Sequence, residues 1–590
     1  MKYYNTIIIY NFFCSLFLKI ISMQLGNNSG AYLKTPDPTK LQYRNGNALD
    51  KGEEFFFFFN FTSDLLKYAG FNTMTKKFTE ENYVIEEELN ICRRSKELGI
   101  SDIIGFLTTI INENPLSAYK GDDKNELLNL YEPIWIKSGN EVNPNNYLAN
   151  YTYNVISKYK DYIKIWTVWY MPDFTYKFVN TKNWILYPPN SSDLKNWKSP
   201  IFYFIRMMRI TYEVAKKIDP QCWVSVSTLI HYEFLDALMR YSDNPNNGTI
   251  NKDYPDYGGA YFDCVGFIQY PESKIIDIET NQIYNKNGSD SLVQKIIIGK
   301  KNFERITEKY GFGIKYPKKI FINEETGLGS DKSCNIILGD ENMRINWIIK
   351  LSLLSIENDI KQNHNNRLAD QDKCGYGDYV KLVLNDDIEK YFKSSSKVRN
   401  ILRKINLEKY VFDSYKTLKL RNNLTEDIFG VVLKRNFSKE IEDEYDYDYI
   451  YSIWLKCDDK EILTKTKFKL NIPFNPLIID YKGREQNATN SSEILISGTP
   501  VFLLGNIDHE ENFENEENKK IVTVNNNNKL ILFMIFFFII MLIIFGISFF
   551  LYHKIRNKKN NIQNNVSDKG NYNNKVEKYN QMKLLENYTE

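Results

Sequence analysis

The chain has 590 residues, of which 43% are hydrophobic and 25% are charged, so it holds enough apolar material for one large domain and a smaller one. Its 76 basic and 74 acidic side chains leave a formal net charge of +2. A balance this close gives no overall field that would attract a polyanion, which excludes nucleic acid as a predicted partner. The sequence therefore predicts a globular protein with additional segments.

The N-terminus has the pattern of a secretory signal. Lys2 precedes an apolar run from Thr6 to Ser22, and small and polar residues follow between Asn27 and Gly30. This order of charged, apolar and small residues is typical of a cleaved signal peptide, predicted here over residues 1–24. An uncleaved anchor is the alternative.

A second apolar segment lies near the C-terminus. Leu530–Tyr552 contains no charged residue, and its 23 residues are enough to cross a hydrocarbon core of about 30 Å as a helix. Four basic residues follow between positions 554 and 559, whereas only Lys529 flanks the other side. The positive-inside rule then puts the C-terminus in the cytoplasm. The sequence predicts a single-pass type I protein of the plasma membrane with an extracellular ectodomain.

This topology places the ectodomain in an oxidising compartment. Of seven cysteines, Cys14 falls in the signal peptide, and the spacing of the others matches no zinc pattern, so no metal or cofactor is predicted. Cys222 and Cys264 either pair as a disulfide or remain buried thiols. Asn-x-Ser/Thr sequons predict N-glycosylation. They begin at Asn27, Asn60, Asn150, Asn190, Asn247, Asn287, Asn423, Asn436, Asn487 and Asn490.

Short apolar runs alternate with longer amphipathic runs over the first part of the ectodomain. The predicted strands are Glu54–Asn60, Ile103–Leu107, Pro133–Ile136, Ile163–Trp169, Trp223–Ser227, Cys264–Gln269, Lys319–Asn323 and Ile356–Gln362. Eight strands alternating with helices over this length are typical of a (β/α)8 TIM barrel, assigned to residues 25–372. An open doubly wound sheet is the alternative, but no glycine-rich phosphate loop follows the first strand.

The pattern changes beyond residue 372. Alternation with a period of two appears in four segments, at residues 428–435, 447–456, 467–472 and 494–504. Such alternation is typical of antiparallel strands with one buried face, so a small β-sandwich is predicted over residues 373–506. Residues 507–529 are acidic and then asparagine-rich, as expected of a solvated stalk, and residues 553–590 form a polar cytoplasmic tail.

Several motifs occur in the order found in one group of enzymes. They are Tyr159–Phe174, Tyr212–Pro220, Asp263–Pro271, Ile320–Gly327, Ile479–Gly483 and Gly498–Leu503. In this order and spacing the chain resembles the retaining glycoside hydrolases of the large barrel clan, nearest to family 39, which contains β-xylosidases and α-L-iduronidases. The resemblance covers residues 50–506 and implies a barrel with an accompanying β-sandwich.

The resemblance also implies a catalytic pair. Retaining glycosidases use two carboxyl groups about 5 to 5.5 Å apart, one as nucleophile and one as acid and base. In this clan they stand at the ends of the seventh and fourth strands. Glu325 occupies the nucleophile position, with Glu324 as its outward neighbour; the assignment can also be shifted by one residue, or the pair can be merely solvated. Tyr270 resembles the usual hydrogen-bond partner of the nucleophile.

The fourth strand departs from the family. Met171 stands at the acid and base position and carries no proton to donate, and Tyr170 replaces the expected asparagine. Three further departures surround the same pocket. The assumed second strand, Ile103–Phe106, lacks the usual arginine, Gln269 replaces a histidine, and His364–Arg367 replaces an aromatic platform.

Two functions follow from these departures. In the first, the barrel is a pseudoenzyme that serves display, adhesion or glycan binding at a cell surface, as in a protist surface antigen. In the second, Asp173 or Glu113 replaces the missing acid and a membrane-anchored glycosidase persists. The predicted sugar-binding residues are Tyr170, Trp169, Tyr270, Gln269 and Trp135. The alternative for the aromatic residues is packing in the core.

Overall fold

A computed structural model describes much of the predicted ectodomain. The described residues are 36–37, 41–47, 62–68, 70–78, 83–107, 119–120, 123–127, 129–136, 139–176, 179–271, 274–328, 341–365, 394–436, 447–469, 472–489 and 493–506. The predicted signal peptide, stalk, membrane helix and cytoplasmic tail lie outside these ranges. Within them, no helix is long and apolar enough to cross a membrane.

Eight parallel strands close into a barrel. They are β1 (Arg44–Asn47), β2 (Thr73–Phe78), β3 (Ile103–Leu107), β4 (Ile163–Val168), β5 (Trp223–Leu229), β6 (Cys264–Ile268), β7 (Ile320–Thr326) and β8 (Ile360–Asn365). The strands are hydrogen-bonded in sequence order, and β1 pairs with β8 to complete the ring. Closure rules out the open doubly wound sheet.

Each barrel strand is followed by a helix of the same number. The helices are α1 (Thr62–Tyr68), α2 (Glu86–Glu97), α3 (Tyr147–Tyr159), α4 (Ile201–Ile218), α5 (Tyr232–Arg240), α6 (Ser289–Lys309), α7 (Glu341–Glu357) and α8 (Ser394–Lys404). This alternation is the (β/α)8 topology, so the predicted barrel is confirmed. Because α8 lies entirely beyond residue 372, the barrel continues past the predicted domain boundary.

The predicted barrel strands agree with the structure except near the start and at the last strand, where the predicted Ile356–Gln362 begins inside α7 and the strand is Ile360–Asn365. Thr73–Phe78 forms β2 although the sequence analysis missed it, and Pro133–Ile136 is no barrel strand, because its Trp135 only bridges to Val142 in the β3–α3 loop. Ile103–Leu107 is therefore the third strand and not the second. The predicted strand Glu54–Asn60 lies outside the described residues, and Arg44–Asn47 takes the first position.

The barrel interior holds its own small apolar cluster. Ile104 and Phe106 of β3 meet Ile165 of β4 and Ile320 and Ile322 of β7. These side chains share the inward face because residues two apart along a strand point the same way. The cluster fills the lower interior of the barrel, so the polar side chains of interest are found nearer the carboxyl ends of the strands.

An antiparallel β-domain follows the barrel. Its strands are β9 (Tyr410–Phe412), β10 (Ile428–Arg435), β11 (Tyr449–Leu455), β12 (Thr466–Lys469), β13 (Leu477–Ile479), β14 (Glu485–Asn487), β15 (Glu493–Ile496) and β16 (Val501–Gly505). A six-stranded sheet has the order β9-β10-β11-β16-β13-β14, and β12 pairs with β15 separately. A further helix, α9 (Ser414–Asn422), precedes β10.

The six-stranded sheet is buried on both faces. Val432 and Leu503 belong to a cluster with Ile494 and Ile496 of β15, whereas residues of the opposite face join the core of the barrel. Polar contacts link the two domains as well. Arg421 donates two hydrogen bonds to the carboxylate of Glu357 on α7, at 2.8 Å each.

The cysteines in the described part of the chain are buried thiols. Cys222 and Cys264 are both free, as are Cys92 and Cys457. Of the two alternatives for Cys222 and Cys264, the structure shows two thiols. Burial raises the pKa of the Cys222 thiol to about 12, which keeps it protonated and unreactive at neutral pH.

Candidate active site

The seventh strand ends in two glutamates with opposite environments. The register of β7 against β6 shifts between Asn323 and Glu325, and such an irregularity re-aims the side chains beside it. Glu324 is buried inside the barrel, whereas Glu325 is half-buried at its mouth. The sequence predicts Glu324 as the outward neighbour of Glu325. That expectation was wrong, because Glu324 continues the inward-facing series of Ile320 and Ile322.

Two tyrosines hold the carboxylate of Glu325. The hydroxyl of Tyr270, just beyond β6, donates to Oε1, and the hydroxyl of Tyr170, just beyond β4, donates to Oε2. Tyr170 also packs against Phe106 of β3, with ring centroids 6.2 Å apart. The ends of β4, β6 and β7 thus converge on one carboxylate, and each of its two oxygens accepts a hydrogen bond from a tyrosine hydroxyl.

An unusual backbone carries Tyr170 into the mouth. Trp169 and Met171 on either side of it have φ angles of 64° and 44°, in the left-handed region that residues other than glycine seldom occupy. Backbone strain of this kind costs about 1–3 kcal/mol per residue and persists where the surrounding structure enforces it. The β4 end is therefore held in a specific conformation around Tyr170.

Trp169 does not belong to the site. Its side chain is only 2% exposed, its indole nitrogen donates to the backbone oxygen of Asn196 at 2.9 Å, and its ring packs edge-on against Trp197. No face of this ring is available to a sugar, so the alternative of core packing applies. Trp169 is therefore a core residue and not a sugar-binding one.

Gln269 and Trp135 also lie apart from Glu325. The amide of Gln269 is directed to α6, where its oxygen approaches Gly299 closely, and its nitrogen donates to the backbone oxygen of Tyr270. Trp135 is half-buried in the β3–α3 loop and packs against the core. Of the predicted sugar-binding residues, the structure brings only Tyr170 and Tyr270 to Glu325.

A buried hydroxyl network lies beneath the mouth and was missed by the sequence analysis. The carboxylate of Glu324 accepts hydrogen bonds from Thr167 of β4 at 3.1 Å, from Ser225 of β5 at 2.9 Å, and from Thr228. A side chain at Gly266 on β6 would collide with this carboxylate, so the glycine provides its space. Burial raises the pKa of Glu324 to about 7, against the opposing effect of the three hydroxyl donors.

Asp173 is placed where it supports the loop. It is fully buried, and its Oδ2 accepts from the backbone nitrogens of Ile230 at 2.8 Å and His231 at 2.6 Å, immediately before α5. Burial raises its pKa to about 7, although both backbone donors oppose the shift. A pKa near 7 would suit a general acid, but a carboxyl without exposed surface cannot reach a substrate. Glu113 lies outside the described residues.

Because Thr73–Phe78 is the second strand of the barrel, the basic residues of this segment have to be considered in place of the expected arginine. Lys76 of β2 pairs with Glu88 of α2 on the outside of the barrel. Alternation along the strand then places Lys77 on the inward face, nearer the mouth. On β8, His364 is buried and its Nε2 lies 2.8 Å from the amide oxygen of Gln362. Strand β2 therefore carries Lys76 and Lys77 and no arginine.

Comparison with known proteins gives likenesses of structure only. No protein-family model matches the chain, and no curated protein matches it. A family 39 glycoside hydrolase from Bacteroides cellulosilyticus WH2 is 14% identical, with 80% of this chain and 82% of that chain covered and a TM-score of 0.47. A glucosidase from Croceicoccus marinus is 8% identical, with 75% and 90% covered and a TM-score of 0.40. The function must therefore be argued from the site itself.

Proposed function

We propose that this chain is a carbohydrate-binding protein built on a glycosidase-like barrel that no longer hydrolyses glycosides. The observation that carries the proposal is the hydrogen bond from Tyr170 to Glu325. Tyr170 donates to the carboxylate oxygen that does not accept the hydrogen bond from Tyr270. In a retaining glycosidase, the end of the fourth strand instead carries the acid.

The chemistry of double displacement explains why this contact matters. A nucleophilic carboxylate must attack the anomeric carbon, and a second carboxyl about 5 to 5.5 Å away must protonate the leaving oxygen. Met171 has no ionisable proton, so the residue at this position cannot protonate the leaving oxygen. Both oxygens of Glu325 accept hydrogen bonds from tyrosine hydroxyls, and these bonds also make the carboxylate a weaker nucleophile.

The same groups are suited to binding a sugar. Glu325 accepts hydrogen bonds, the phenols of Tyr170 and Tyr270 both donate and accept them, and their rings offer flat faces to the C–H side of a pyranose. A half-buried mouth with a few converging polar groups is the usual form of a small-ligand site.

The cellular setting is part of the proposal. The apolar segments at residues 6–22 and 530–552 and the positive flank after the second one support a single-pass type I protein of the plasma membrane. The sequons support N-glycosylation of its ectodomain. In this arrangement the barrel would present its sugar-binding mouth outside the cell, as an adhesion or display protein.

An active retaining glycosidase is the second candidate. The position of Glu325 at the end of β7 and its hydrogen bond from Tyr270 favour it, since a retained nucleophile would have this partner. The missing element is the acid. Asp173 is buried under backbone donors, so a functioning enzyme would need Tyr170 or the undescribed Glu113 to supply the proton.

Hydrolysis of activated glycosides separates the two candidates. The full-length chain would be assayed on 4-nitrophenyl β-xyloside, β-glucoside and β-galactoside and on 4-methylumbelliferyl α-L-iduronide, whose leaving groups depart with little acid assistance. We expect no turnover above a Glu325→Gln control. Turnover that disappears in Glu325→Gln would overturn the proposal in favour of the glycosidase.

Binding is tested on a glycan array with the same proteins. We expect recognition of at least one glycan that is weakened in Tyr170→Ala and Tyr270→Ala. Tyr415→Ala serves as the matched control, because this tyrosine is 56% exposed on α9, far along the chain from the barrel mouth. Absence of all binding at the mouth, together with absence of turnover, would leave a display function without ligand recognition.

A further inference from the structure

The loop between β4 and α4 forms a groove of its own beside the barrel mouth. Its cavity has a volume of about 600 Å³, within the range of small-molecule sites. We call it the β4–α4 groove and define it by six of its lining residues. They are Tyr176, Asn180, Asn183, Trp184, Tyr187 and Asn190.

The floor of the groove is fixed to the barrel. Trp184 lies in a short 3-10 helix, Thr181–Ile185, and is only 3% exposed. Its ring packs edge-on against His231 and Phe234 at the start of α5, with centroids 5.7 and 6.2 Å away. Arg240 at the end of α5 donates to the backbone oxygen of Trp184. A floor anchored in this way needs little ordering when a ligand binds.

The base of the loop is closed by backbone pairing. Thr175 and Leu194 form an antiparallel bridge, and the backbone nitrogen of Tyr176 donates to the oxygen of Asp193 at 3.2 Å. A second short 3-10 helix, Ser191–Asp193, is capped by the side chain of Asn190. These contacts hold the two sides of the groove at a set separation.

Aromatic rings on the rim remain open to solvent. Tyr187 is 67% exposed and Tyr176 is 47% exposed, and both lie on the rim of the same cavity. Lys198 lies 4.6 Å from the ring centre of Tyr176 and donates to its hydroxyl at 3.0 Å, which holds that ring in place. The rim therefore presents fixed aromatic surface around a concavity.

The polar lining identifies the class of ligand. Asn180 and Asn183 each offer an amide with donors and an acceptor, which suits hydroxyl groups that also donate and accept. Asp193 adds a carboxylate to the lining and Lys198 beside Tyr176 adds a cation, so the groove has no single sign of charge that would select an anion. Flat rings together with neutral amides match the alternating C–H and hydroxyl surfaces of a sugar.

From these observations we propose that the β4–α4 groove binds a neutral oligosaccharide. This site is additional to the one proposed at Glu325, because Tyr170, Tyr270 and Glu325 take no part in its lining. The loop follows the carboxyl end of β4, so the groove opens on the same end of the barrel as Glu325. A chain with both sites would contact a glycan at two places.

Calorimetric titration of the full-length chain tests the groove. The probes are cellotetraose, xylotetraose and laminaritetraose, with a heparin-derived tetrasaccharide as the anionic comparison. We expect at least one neutral tetrasaccharide to bind, and Tyr187→Ala and Asn183→Ala each to weaken binding about tenfold, which corresponds to about 1.4 kcal/mol. The exposed Tyr415→Ala should bind as the unmodified chain does.

The other outcomes overturn the proposal in distinguishable ways. Loss in Glu325→Gln with retention in Tyr187→Ala would assign the sugar to the barrel mouth, which supports the proposed function but not the groove. Binding of the heparin fragment alone would contradict a neutral ligand, and failure of every probe would refute a free saccharide ligand. Binding that appears only in Asn190→Gln would mean that the chain's own glycan, attached at the Asn190 sequon, fills the groove.

Discussion

The ends of β4 and β7 meet at the barrel mouth, and they resemble a retaining glycosidase to different extents. The β7 end presents Glu325 with Tyr270 as its donor, the arrangement that the family resemblance implies for a nucleophile. The β4 end presents Tyr170 between two residues of positive φ and has Met171 where the family resemblance implies the acid. Loss of the acid alone would leave an exposed carboxylate, whereas here Tyr170 also covers it.

Under the proposed binding function, this difference separates the part of a barrel that carries chemistry from the part that carries architecture. Strand ends and the loops after them carry the chemistry, whereas the inward apolar layers carry stability. A substitution of Met171 should leave the packing of these apolar layers unchanged. The hydroxyl network around Glu324, by contrast, links β4, β5 and β7 inside the barrel and should tolerate little change.

The largest effect is expected from restoring the acid on β4. The double variant Tyr170→Asn, Met171→Glu would uncover Glu325 and return a proton donor to the opposite strand end. General acid catalysis typically contributes about 10²- to 10⁴-fold, so this variant should exceed Tyr170→Asn alone by about that factor on a substrate with a poor leaving group. The measurement is sugar release from xylobiose and cellobiose.

The control for that variant adds Glu325→Gln and should abolish any activity gained. Equal and negligible turnover by the double variant and by Tyr170→Asn would contradict the view that only the β4 end separates this chain from an enzyme. It would leave the proposal of a binding barrel intact, because binding requires no acid.

The two glutamates of β7 should differ strongly in their effect on stability. Glu324→Ala removes the acceptor of three buried hydroxyls and leaves a cavity, with an expected loss of about 3–5 kcal/mol in the free energy of unfolding. Glu325→Ala, at the half-buried mouth, should change it by about 1 kcal/mol or less. Urea unfolding at about pH 6 measures both. Similar values for the two variants would mean that Glu324 is not the internal anchor described above.

The pH dependence of stability distinguishes the same two positions. Glu324 has a folded pKa of about 7 against an ordinary value of 4.5, so the folded chain holds more protons than the unfolded chain between these values. Its contribution is fully present below the ordinary pKa and is lost as the pH rises through about 7, on the order of 3 kcal/mol in all. Urea unfolding at several pH values between about 4.5 and 8 should show stability falling with pH.

The neutral isostere Glu324→Gln should remove the part of the pH dependence of the free energy of unfolding that Glu324 contributes. Asp173 has a pKa raised in the same direction and to about the same value, so Asp173→Asn serves as the comparison and should remove a separate share. A slope that is unchanged in Glu324→Gln but absent in Asp173→Asn would assign the whole effect to the loop carboxyl.

Much of the fold could be predicted from the sequence, and its failures have a physical cause. β3 and β6 are continuous apolar runs, as expected of strands buried on both sides, and β7 begins with the apolar residues Ile320–Ile322. β2 contains Lys76 and Lys77, and β1 reads Arg-Asn-Gly-Asn. Neither has a strand pattern of its own, and both are held by pairing within the closed barrel, where tertiary context outweighs local propensity.

The site was predictable only in part for the same kind of reason. The order of motifs led to Glu325 and Tyr270, and the structure joins them. The inward direction of Glu324 could have been read from the spacing of Ile320 and Ile322. The contact between Tyr170 and Glu325 could not, because it depends on positive φ angles that the sequence at Trp169 and Met171 does not signal.

The smallest expected effect concerns that backbone and sharpens the contrast between the two strand ends. Met171→Gly and Met171→Ala both remove the side chain, but only glycine adopts a φ of 44° without steric cost. A left-handed conformation costs about 1–2 kcal/mol for other residues, so the glycine variant should be about 1 kcal/mol more stable than the alanine variant in urea unfolding. If alanine proves equal to glycine, the β4 end stores no strain, and Tyr170 is then directed to Glu325 by the hydrogen bond alone.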